Sequence, residues 1–109
     1  MLIFAHIFNS LRDMHLKYQF VVRKMLGVIA AVPVGKNASK INAMLSLNES
    51  AAFIIEKLAT DTTEEAIADA LIEEYEGVDK ETALRDVHKM VEMLREKDLL
   101  DVRRRRLGL

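Results

Sequence analysis

The side chains best placed to move protons or hold a metal near neutral pH are His6, His15 and His88. They are far apart in the chain and show no metal-ligand spacing. Cysteine is absent, which excludes disulfides, thiolate nucleophiles and Cys-ligated zinc. Glu64, Glu65, Asp69, Glu73 and Glu74 crowd one segment. Carboxylates do general acid–base work when a cleft desolvates and pairs them; these fall on the solvent side of an amphipathic helix, where they serve capping and solubility. His88, beside Val87, is expected at a helix surface or boundary. No Gly-rich phosphate loop, nucleophile elbow or dinucleotide fingerprint appears. The chain therefore reads as a binding module rather than an enzyme, with no cofactor or metal of its own.

The four arginines Arg103–Arg106 are the strongest charge feature. Such a run either binds phosphates or forms a solvated, frayed tail. Across all 109 residues, 16 Lys and Arg face 17 Asp and Glu, a formal charge of −1, so the global field steers neither nucleic acid nor membrane. Half of the residues are apolar, enough for one core without staples at this length. Residues 1–15 are apolar but shorter than the ~20 residues a bilayer span needs, and they lack the basic start and cleavage site of a secretory signal. A cytoplasmic protein is expected. Phe4, Ile7, Phe8 and Leu11 share one helical face, as in an amphipathic N-terminal helix, while Met14 opens an alternative start; both readings stay open.

The elements follow from periodicity. In KYQFVVRKM, Tyr18, Phe20 and Val22 point to one face and Gln19, Val21 and Arg23 to the other. Gly27 punctuates, VIAAVPV forms a second strand, and Pro33 belongs at an edge, a bulge or a strand end. GKNASK has loop chemistry. INAMLSL alternates, with Ile41, Ala43, Leu45 and Leu47 opposed to Asn42, Met44 and Ser46. The period then turns helical. Asn48 caps a helix striped by Ala51, Ile54, Ile55 and Leu58. A second starts at Thr62, which has capping-box spacing to Glu65, is striped by Ile67, Ala70, Leu71 and Tyr75, and ends near Gly77. Asp79 caps a third, striped by Leu84, Val87, Val91 and Leu94. The expectation is an α+β, winged-helix-like domain over residues 16–102: a three-stranded antiparallel sheet followed by three helices, between an N-terminal extension (1–15) and a basic tail (103–109).

Two binding modes compete. A DNA-binding winged-helix regulator needs a basic recognition helix, whereas the third helix sets Lys80, Arg85, Lys89, Arg95 and Lys97 against Glu81, Asp86, Glu92, Glu96 and Asp98. That balance disfavours phosphate neutralisation. The alternative is strand addition: INAMLSL carries no proline or charge to block its edge. An extended peptide could lie between that edge and the third helix, or two such edges could pair in a homodimer.

LSLNESAAFIIEKL, TTEEAIADALIEEY and DVHKMVEMLREKDLL, with VVRKMLGVIAAVPVG ahead of them, resemble the PqqD family, named for pyrroloquinoline quinone biosynthesis protein D. The resemblance covers about residues 16–102. It implies a non-enzymatic adaptor that binds the leader of a ribosomally made precursor peptide and presents it to a modifying enzyme, commonly a radical S-adenosylmethionine enzyme. It further implies that the leader adds to the third strand, here Ile41, Asn42, Ala43, Met44, Leu45, Ser46 and Leu47, and rests on the third helix at Val87, Lys89, Met90 and Met93. The chain departs from the pattern in its arginine tail and at Thr60-Asp61-Thr62, where many relatives have glycine.

Overall fold

The computed structural model describes residues 12–35 and 45–104. The expected helical stripe Phe4–Leu11, the loop over 36–40, the strand positions Ile41, Asn42, Ala43 and Met44, and Arg105 and Arg106 lie outside them. The elements run β1 (Arg12–Leu16), β2 (Gln19–Met25), β3 (Val28–Val34), β4 (Leu45–Leu47), α1 (Glu49–Lys57), α2 (Glu64–Glu74), α3 (Lys80–Glu96) and β5 (Leu100–Arg104).

β2, β3 and β4 form the three-stranded antiparallel sheet, with β3 central. Leu26 and Gly27 make the β2–β3 turn with φ of +52° and +79°, the pair of positive φ values a two-residue type I′ hairpin requires. Met25 and Val28 flank that turn and form a hydrogen-bonded pair, which fixes the alternation along the ladder. Pro33 opposite Phe20 then falls in a non-hydrogen-bonded pair, its nitrogen directed away from β2. Pro33 stands one residue from the end of β3, where the missing donor is tolerated. Phe20, Val22, Ala31, Leu45 and Leu47 share the face that packs on the helices.

Each helix is capped by a side chain that accepts from the first turn. Asn48 accepts from Ala51 N–H at 2.8 Å and Asp79 from Thr82 N–H at 2.8 Å. The α2 cap is Thr63, which accepts from Ala66 N–H at 3.1 Å, not Thr62. Thr62 is held extended by two backbone bonds to Met14, of 2.8 and 2.9 Å, so the helix begins at Glu64. Ile54, Ile55 and Leu58 of the first stripe, Ile67 and Leu71 of the second, and Val87, Val91 and Leu94 of the third are buried. Ala68 takes the buried place foreseen for Ala70, and Gly77, at φ +80°, follows α2 as expected.

Residues at both boundaries of the expected domain join the fold. β1 pairs antiparallel with β5 from Arg12–Arg104 to Leu16–Leu100. Met14 is 1 % exposed and Leu16 donates to Leu58 O at 2.8 Å. Residues 12–15 are thus strand rather than helix, because Met14 fills the core beneath the α1–α2 turn. Arg103 lies in β5 and donates to Asp61 at 2.8 Å, so the first of the four arginines is tied down. His15 Nδ1 meets the other Asp61 oxygen at 2.7 Å. That closes a polar clasp over the Thr60-Asp61-Thr62 turn.

Candidate peptide groove

Among the described residues β4 is an edge strand. Leu45 and Leu47 exchange backbone bonds with Ala31 and Ile29, while Ser46, opposite Ala30, lies between those bonded pairs. The N–H and C=O of Ser46 therefore face outward, with no partner among the described residues. Its side chain is exposed, whereas Leu45 is buried and Leu47 half-buried.

Beyond Leu47 the edge leads into a groove of about 310 Å³ between the start of α1 and the middle of α3. Asn48, Ser50, Ala51 and Ile54 form one wall, and Asp86, Lys89, Met90 and Met93 the other. Asn48 belongs there because the helix starts where the strand stops. Its carboxamide oxygen takes Ala51 N–H and Ser50 Oγ–H, the latter at 3.0 Å, which fixes the polar rim. The floor is apolar: Ile54 is buried, and half-buried Met90 and Met93 pack against the core. Methionine thioethers on an open surface adapt to irregular partners. Asp86 and Lys89, one helical turn-fraction apart, are exposed and have no ion pair among the described residues.

The expected α3 residues divide. Lys89, Met90 and Met93 line the groove, while Val87 is 0 % exposed. Val87 is buried in the core with Val91 and Leu94, on the face of α3 next to the one that lines the groove. Leu45–Leu47 run up to the groove without lining it. Asn48, Ser50, Ala51, Ile54 and Asp86 were missed. Asp86 borders the buried stripe of α3 without belonging to it, which is a signal for an open face; Ala51, expected in the α1 stripe, is only half-buried because Ala52 takes the core place.

Around the groove, α2 and α3 are held in place by polar contacts. Lys80 bonds to Asp69 and lies 3.5 Å from Glu65; the Asp69 hydrogen bond raises the Lys80 pKa above its ordinary value. His88 Nδ1 meets Glu64 at 2.9 Å, with His88 exposed and Glu64, expected on the solvent side, buried instead at the start of α2 where the packing of α3 covers it. His88 is therefore at the surface, as its place in the sequence implied. No group of three His, Cys, Asp or Glu among the described residues could hold a metal ion, and no helix among them is long and apolar enough to cross a membrane.

These features define a small α+β domain with an open strand edge leading into an amphipathic groove. A family model described as Coenzyme PQQ synthesis protein D (PqqD) matches residues 31–100, nearly two thirds of the chain. The chain belongs to the PqqD family. The matched span holds β4, the three helices of the described residues and every groove residue; β1, β2 and most of β5 lie outside it. No curated protein and no solved structure matches the chain.

Proposed function

We propose that this protein is a non-enzymatic adaptor that binds the leader of a ribosomally made precursor peptide and presents it to a modifying enzyme of the radical S-adenosylmethionine type. The observation that carries this reading is the outward-facing Ser46 backbone at the mouth of the Met90–Met93 groove. A peptide strand gains main-chain bonds at such an edge and selectivity from side-chain pockets beside it. Family membership supports the same reading, as its description ties the domain to synthesis of a coenzyme. The site comprises Leu45–Leu47 with Lys89, Met90 and Met93, extended to Asn48, Ala51 and Ile54, and on the strand side to 41–44. One apolar anchor can fill the methionine floor while Lys89 and Asp86 read its charged neighbours.

DNA binding draws less support. Arg103 is engaged with Asp61, and the exposed side of α3 alternates in sign. Fluorescence anisotropy with the labelled leader of the short peptide encoded nearest this chain separates the two functions. An adaptor binds that leader with little change between 50 and 200 mM salt and ignores duplex DNA. A DNA-binding domain making 6–10 phosphate contacts loses roughly 10³–10⁵ in affinity over that range.

A further inference from the structure

The β2–β3 hairpin tip carries the largest apolar exposure among the described residues: Met25 is 71 % exposed, Leu26 103 % and Val28 54 %. Leu26 is also an ill-suited turn residue. Its φ of +52° falls where type I′ turns favour Asn, Asp or Gly, and a Cβ-bearing side chain there gives up stability. A position that breaks a local rule with no gain inside the fold points to a gain outside it.

The tip is placed to meet whatever works on the groove's contents. Continuing the β3–β4 register past Ile29–Leu47 sets Val28 level with Asn48, which lines the groove. Lys24 Nζ lies 3.7 Å from Glu49 Oε1, so the hairpin and the first turn of α1 are at the same end of the molecule.

We propose that this tip is the plug by which the protein docks on its modifying enzyme, seating Met25, Leu26 and Val28 in an apolar cavity rimmed by carboxylates that face Arg23. The proposal rests on the peptide-binding reading of the groove. A few well-seated apolar anchors can carry a protein–protein contact. Two tips meeting across a two-fold axis would set Arg23 of each copy against a tip, residues 23–28, that carries no carboxylate, a like-charge contact that disfavours a second copy. A lipid surface fits less well, because Lys24 is paired with Glu49. That leaves Arg23 as the tip's unpaired cation among the described residues, against the roughly four to eight basic residues that hold proteins on anionic bilayers.

Photo-crosslinking in the cells that make the protein tests this on the full chain. Benzoylphenylalanine is placed at Leu26 or, as a control, at exposed Glu73 of α2, and adducts are identified by mass spectrometry. The expected adduct forms at position 26 alone and is with a peptide-modifying enzyme. Leu26→Asn, which suits the turn, raises the thermal midpoint, weakens binding of that purified enzyme about tenfold and leaves leader affinity unchanged. Met90→Glu does the reverse, losing the leader while keeping the tip adduct, so failure of the groove reading and failure of the plug are told apart. Adducts with lipid, with a second copy or with an unrelated protein overturn the proposal. So do equal yields at both positions, the absence of any adduct, and unchanged enzyme affinity in Leu26→Asn.

Discussion

Ser46 of β4 faces Ala30 of β3 as a non-hydrogen-bonded pair, so both backbone groups of Ser46 turn outward from the sheet. Proline at this position removes an outward donor and none of the bonds to β3. Ser46→Pro is therefore expected to leave the far-ultraviolet helix signal intact while weakening leader binding at least about tenfold, the loss of a main-chain bond with its register. Titration calorimetry beside circular dichroism checks both halves. Unchanged affinity would place the peptide elsewhere.

Val87 separates core from groove. It is 0 % exposed beneath α3, and Val87→Ala removes buried methyl groups and leaves a small cavity, at a cost of about 2 kcal/mol. Urea unfolding should show that loss, while the folded variant binds the leader as the parent does. Met90→Ala, one turn-fraction further on and half-buried, is expected to reverse the balance.

Much of this was legible in the sequence, and the reasons are local. Asn48 and Asp79 are capping residues directly ahead of apolar stripes, and a cap is read from a few neighbouring positions. The β2–β3 hairpin could be placed from Gly27 and the alternation around it. The β1–β5 ribbon was not legible, because it joins residues on opposite sides of the domain, Leu16 with Leu100, and no local period reports such a partner. Thr62 illustrates the same limit: its spacing to Glu65 is that of a cap, yet Met14 claims its backbone and moves the cap to Thr63. The groove was half legible. Lys89, Met90 and Met93 lie on the open face of an amphipathic helix, whereas the α1 wall depends on how α1 packs against α3, which sequence spacing does not encode.

The β1 strand carries a prediction of its own. Met14 is 1 % exposed and bonded through its backbone to Thr62, so Met14→Ala should destabilise the fold by roughly 2–5 kcal/mol, the range for a buried Met or Leu. A thermal midpoint matching the parent would mean that β1 is a dispensable extension.

Acid should loosen α3 from its start. The backbone N–H of Thr82, donating to Asp79, holds the Asp79 carboxyl below its ordinary 3.8. The unfolded chain then takes up a proton at Asp79 before the folded one does. The cap's contribution is full above pH 3.8 and is lost as pH falls through the lower folded value. Asp79→Asn keeps a capping oxygen without the titration, so its unfolding midpoint should depend less on pH below that point. Parallel pH profiles for the two proteins would contradict the assignment.

The central claim is that a peptide backbone pairs with the β4 edge. Amide hydrogen exchange at Ser46, with and without saturating leader peptide, tests it most directly. Strand addition predicts that the Ser46 amide, open in the free protein, slows by about tenfold or more on binding as it gains a main-chain acceptor, while Arg103 is unaffected. A leader that binds yet leaves Ser46 exchanging at its free rate would contradict the account.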